Sequence, residues 1–129
     1  MNNEEVYARE AVLLREMSPT RELKLQALRL GDLGITAIPN EVFASTGLAI
    51  KRKSPLKQTF TIELANGCEG YIPPPDQHML GGYTTWRART SCLEVNAEPK
   101  IQEAVLGLLK QVDKQRRDEP ARPSTGAGR

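Results

Sequence analysis

Apolar residues recur at helical spacing in three stretches of the chain and alternate at strand spacing in three others. Val6, Leu13, Leu14 and Met17 fall near one stripe of residues 4–17, with Glu4, Glu5, Arg9, Glu10 and Arg15 elsewhere, which predicts a helix. Ser18-Pro19-Thr20 stops it. Leu23, Leu25, Ala27 and Leu28 are interspersed with Lys24, Gln26 and Arg29, the pattern of a strand. Gly31-Asp32-Leu33-Gly34 reads as a tight turn. Ile35-Thr36-Ala37-Ile38 is a second strand, mostly apolar and therefore expected to be buried. The two together predict a hairpin over 23–38.

Pro39 ends that strand, and 41–51 reads as a helix with Val42, Thr46 and Ile50 on one face, closed by Lys53-Ser54-Pro55. Residues 58–65 predict a third strand with Phe60, Ile62 and Leu64 pointing inward. Residues 66–83 form a long loop rich in Gly and Pro, and loops of that length in small domains are commonly functional. A short strand is expected around Thr85-Trp86-Arg87, with Trp86, like Phe43, in the core. The last helix spans 98–112, with Ile101, Ala104, Val105, Leu108, Leu109 and Val112 on one face. From Asp113 to Arg129 the chain is a polar tail too poor in apolar surface to order itself. The fold class is α/β: a small mixed sheet with a hairpin and three helices.

A chain of 129 residues makes one small domain, here 1–112 followed by the tail at 113–129. The formal net charge of +2 is too small to imply a nucleic-acid partner. Lys51, Arg52 and Lys53, and Lys110, Lys114, Arg116 and Arg117, read as solvated faces rather than phosphate sites. No apolar run approaches the ~18 residues of a membrane span, and Met1-Asn2-Asn3-Glu4-Glu5 lacks the features of a signal peptide. Cys68 and Cys92 have no metal-type spacing; a disulfide between them and two free thiols are both open, the second being the plainer reading.

The candidate chemistry lies in Pro39-Asn40-Glu41, in Asn66-Gly67-Cys68-Glu69-Gly70-Tyr71, and in Tyr83 twelve residues further on. Glu41 at a strand end can ligate a metal, act as a base, or serve the start of the helix behind it. Tyr71 and Tyr83 bracket the loop, where a tyrosine either packs with a wet hydroxyl or contributes to a site. His78 is the chain's one histidine, an exposed loop imidazole or a lone ligand. No serine, threonine or cysteine has a partnered base at recognisable spacing, and no phosphate-binding Gly-rich loop is present.

These segments resemble the neutral/alkaline ceramidase family. Residues 27–43 resemble a strand that runs into the family's Pro-Gly-Glu element, with Asn40 in the place of the glycine. Phe60 to Tyr71 resembles the next strand and its Asn-x-x-x-x-Tyr loop, and Gly81-Gly82-Tyr83 resembles the second active-site tyrosine. The resemblance covers about residues 5–112. It implies a zinc amidase that hydrolyses the N-acyl bond of ceramide to sphingosine and a fatty acid. It further implies Glu41 and Tyr71 as ligands of one zinc ion, and Tyr83 as a hydrogen-bond donor to the substrate's developing oxyanion. In the family two upstream histidines complete the metal shell; their counterparts would fall before Met1. The chain then reads as the C-terminal portion of a larger catalytic domain, inactive alone: either a truncated gene product or a half that joins a separately encoded N-terminal half to complete the zinc site. The partner of the completed site is a ceramide-like N-acyl lipid or another amide. The family is often secreted or membrane-associated. The alternative is a non-catalytic remnant or interaction module that retains the fold.

Overall fold

Gly31 adopts a left-handed φ of +62°, which reverses the chain, and the expected hairpin forms around it. The computed structural model describes residues 2–118. In chain order the elements are α1 (Asn3–Glu16), β1 (Gln26–Leu30), β2 (Leu33–Ala37), β3 (Glu41–Val42), α2 (Ala44–Lys53), β4 (Gln58–Ile62), β5 (Tyr71–Ile72), α3 (Pro75–Leu80), a 3₁₀ turn (Tyr83–Thr85) and α4 (Ala97–Asp118). The class is α/β. A three-stranded mixed sheet, in the order β1-β2-β4, stands beside a two-stranded parallel ladder of β3 and β5.

Strand β2 pairs antiparallel with β1 and parallel with β4. The parallel pairing needs a crossover, and α2 supplies it. Helices α2 and α4 pack on the same side of the sheet. Their apolar residues make the core: Ile50 from α2 and Ile101, Val105 and Leu109 from α4, joined by Ile38, Leu56 and Ile72. The side of the sheet beneath them is built mostly from small residues, with the largely buried Arg29 beside Gly34 as the exception. Thr36 is fully buried and its hydroxyl donates to Thr61 at 2.9 Å, while Thr59 donates to the Leu56 carbonyl at 3.2 Å. Gly34 sits where a side chain has no room, with Leu56 Cδ1 2.9 Å from the position a Cβ would take.

Several expectations are corrected. Phe60, Ile62 and Leu64 point outward and are 46%, 45% and 45% exposed, whereas Thr59 is buried. Alternation says which residues share a face of a strand, not which face the helices cover. The helix expected at 41–51 begins at Ala44, because Glu41 and Val42 pair with β5, and Glu41 does not serve as its cap. The loop 66–83 contains β5, α3 and the start of the 3₁₀ turn. The strand expected around Trp86 is that turn followed by an isolated bridge between Ala88 and Ser91. Trp86 is 45% exposed rather than core. Helix α1 forms with a capping box of Asn2 and Glu5 but buries no residue. On α4 Ile101, Val105 and Leu109 are buried and Ala104 is exposed. The same helix continues through Asp118, so residues 113–118 of the expected tail are helical; the rest of that tail lies outside the described residues.

Candidate functional site

Strands β2 and β4 run the same way, so the segments that follow them leave the sheet at one edge. Backbone hydrogen bonds lace these two exits together. Ile38 N–H donates to the Ile62 carbonyl at 3.0 Å, Leu64 N–H to Asn40 at 3.1 Å, and Glu69 N–H to Pro39 at 2.7 Å. Asn40 is fully buried at the centre of this lacing. Its amide nitrogen donates to the carbonyls of Glu69 at 3.0 Å and Gly70 at 3.2 Å. Gly70 has a φ of +77°, and a Cβ there would fall onto the Thr90 carbonyl. That close approach lets Tyr71 N–H donate to Thr90 at 2.8 Å.

The result is a fixed parallel register in which Glu41 faces Tyr71 and Val42 faces Ile72. Successive side chains of a strand point to opposite sides. Ile72 is in the core and Val42 packs against it, which leaves Glu41 and Tyr71 together on the other side. Tyr83 meets Tyr71 edge to face, with ring centroids 5.6 Å apart and planes at 86°. The Tyr83 hydroxyl, burial and the Glu41 carboxylate push the Tyr71 phenol up to about 12. One carboxylate and two phenols thus meet on a partly open surface; Tyr83 is 63% exposed.

Of the residues picked from sequence, Glu41, Tyr71 and Tyr83 are brought together. His78 lies in α3, and among the described residues no group of three or more His, Cys, Asp or Glu side chains could hold a metal ion. Cys68 and Cys92 are free thiols. Two supporting residues were not anticipated. Glu63 accepts a hydrogen bond from Val42 N–H at 2.9 Å and satisfies the free edge of β3. Asn40 clamps the loop that carries Tyr71, although Asn beside Pro reads in sequence as an exposed turn residue. A cleft of about 620 Å³ lies elsewhere, between the end of α1 and the 87–101 segment, with Leu14, Leu93 and Ile101 among its walls.

The donor set fits a zinc ion in part. Glu41 and Tyr71 offer two oxygens, whereas zinc sites are usually closed by three or more protein ligands that include nitrogen or sulfur. No protein-family model, curated protein or solved structure matches the chain.

Proposed function

We propose that Glu41, Tyr71 and Tyr83 are part of a zinc-dependent amidase site of the ceramidase kind, completed by nitrogen ligands from outside the described residues. The observation that supports this reading is the meeting of one carboxylate and two phenols across strands thirty residues apart in sequence. Glu41 and Tyr71 would hold the metal, which when bound supplies an activated water and a polarised amide carbonyl. Tyr83, exposed and in contact with Tyr71 through its hydroxyl, would donate a hydrogen bond to the carbonyl oxygen of an N-acyl substrate, where charge develops. Tyr71 enters the site as a neutral phenol in the free chain, as an ordinary tyrosine does at neutral pH, and its neighbours oppose its ionisation further.

Zinc titration of the purified chain tests this. Two oxygen donors give binding weaker than micromolar, and Glu41→Gln and Tyr71→Phe each abolish it while His78→Ala leaves it unchanged. Stoichiometric sub-micromolar binding would show a complete site and refute the half-site reading. Weak binding indifferent to Glu41→Gln and Tyr71→Phe, or none at millimolar zinc, would remove the ligand assignment. The second reading, an interaction module that retains the fold, is favoured by the uncovered apolar face of the sheet.

A further inference from the structure

The side of the β1-β2-β4 sheet that faces away from α2 and α4 carries an apolar surface that no described element covers. Leu28, Ile35 and Phe60 form one row straight across the three strands. Leu30 and Leu33 lie in the row on one side of it, and Ile62 beside Ala37 in the row on the other. Leu28 is 58% and Leu30 66% exposed, and Phe60 and Ile62 nearly half exposed. Scattered exposed leucines are ordinary on a protein surface; a contiguous patch two rows deep over three strands is not.

We propose that this face packs against the same face of a second copy of the chain, sheet on sheet, about a twofold axis near Ile35. Two features single out a second copy. The first is charge. Within the three strands the face contains no ionisable side chain; its polar members are Gln26, which accepts from Asn66, and Gln58 at the opposite corner, and Lys24 lies beyond Gln26 outside the paired strands. Self-pairing therefore meets no like-charge repulsion, and the face offers nothing by which an oppositely charged partner would be selected. The second is area. Each half-exposed large apolar side chain leaves on the order of 100 Å² in water, so the patch exposes roughly 500 Å² per chain and ~1,000 Å² per pair, the lower limit of a specific interface and the size of a weak, dilution-sensitive dimer. The symmetry is also geometrically sound. A twofold lying along the central row stacks each strand on its own copy, so that Leu28, Ile35 and Phe60 each meet their own counterpart and Leu33 meets Ala37, while Leu30 and Ile62 lie over Gln26 and Gln58, at the ~10 Å spacing of stacked sheets. This pairing does not depend on the metal reading, and zinc titration and molar mass test the two separately.

Light scattering and sedimentation over a wide dilution series decide it. The expected result is a molar mass of twice the chain's 14.3 kDa, falling to that of the monomer on dilution. Leu28→Lys and Phe60→Lys each place a charge on both sides of the twofold and are expected to raise the dimer Kd by roughly a hundredfold or more. Both positions point away from the core, so the far-UV circular dichroism of each variant stays that of the parent. Leu48→Lys, an equally exposed apolar position on α2, leaves the dimer intact. A monomer at every concentration, a dimer indifferent to Leu28→Lys and Phe60→Lys, or a monomer that loses its exposed face only to a different protein would each overturn the proposal.

Discussion

Glu41 and Tyr71 stand opposite one another in the parallel β3–β5 ladder, in direct register, although thirty residues separate them in the chain. Neither strand is long enough to fix that register alone. It is set from behind, where Asn40 donates to both carbonyls that precede Tyr71 and Thr90 receives the Tyr71 N–H. Tyr83 then meets a phenol whose position is already determined. The polar cluster is thus a consequence of buried backbone lacing, and the tests below separate the cluster from the lacing.

Tyr71 is expected to ionise late for a tyrosine. Its phenol is pushed up from the ordinary 10.0 to about 12 by the Tyr83 hydroxyl, burial and the Glu41 carboxylate. A raised folded-state value means that the protonated form supports the fold fully below pH 10, and that this support is lost as pH rises toward 12. Tyrosinate absorbance against pH should show one late component. Tyr71→Phe removes it, and Tyr83→Phe draws it back toward the ordinary range. A late component that survives Tyr71→Phe would contradict the contact.

Asn40→Ala should destabilise the domain by about 1–3 kcal/mol, because it removes a buried donor shared by two carbonyls. Asn40→Asp should cost more, since an isosteric carboxylate turns an acceptor toward those carbonyls in a site without water access. Both variants should also move the Tyr71 titration toward its ordinary value, as β5 loosens from β3. A loss of stability with Tyr71 unmoved would make Asn40 a packing residue only.

The hairpin, the α/β class and the last helix were legible because each is a run of period-2 or helical alternation with Gly, Pro or Ser at its ends. The wrong side of β4 was not, since Phe60 and Ile62 alternate identically whether they face helices or water. Only the route of α2 over the Thr59 side decides that. The two-residue strands β3 and β5 were illegible for another reason: two residues carry no period, and their pairing is set by non-local contacts such as that of Asn40. Glu41, Tyr71 and Tyr83 stand out in the sequence by type and spacing, but the register that sets Glu41 opposite Tyr71 does not, because it depends on those non-local contacts.

Two glycines should respond oppositely to alanine. Gly34 lies on the covered face of β2, where a Cβ would meet Leu56 Cδ1 at 2.9 Å, Thr59 Oγ1 at 3.0 Å and Leu109 Cδ2 at 3.1 Å. Gly34→Ala should cost ~1–3 kcal/mol through overpacking, which outweighs the alanine preference of a strand interior. Gly107 lies within α4 with nothing within 4 Å of the position a methyl would take, so Gly107→Ala should stabilise by ~0.5–1 kcal/mol. Urea midpoints measure both, with an unchanged slope showing that the folded and unfolded states keep their compactness.

Helix α1 should detach in acid before the sheet unfolds. It buries no residue, so apolar packing holds it weakly. Two contacts tie it to the 84–92 segment. Tyr7 meets Trp86 edge to face at 5.0 Å, and Glu10 accepts from Arg89 Nε and backbone N–H at 3.0 Å and from Arg89 Nη2 at 2.8 Å. Those hydrogen bonds and the guanidinium charge hold the Glu10 carboxyl down from 4.5 to about 2. A depressed folded-state value means that the ionised form supports docking fully above pH 4.5, and that this support fades as pH falls toward 2. Trp86 is the chain's single tryptophan and sits at the contact, so its fluorescence reports the detachment while far-UV circular dichroism follows the rest. The expected outcome is a change in Trp86 emission between pH 4.5 and 2 that precedes the loss of sheet signal and moves to higher pH in strong salt, which screens this pair. Glu10→Gln should flatten the emission change over that range and leave α1 more loosely held at neutral pH. Emission that changes only together with the sheet signal, in the parent and in Glu10→Gln alike, would mean that α1 is held by something other than this ion pair.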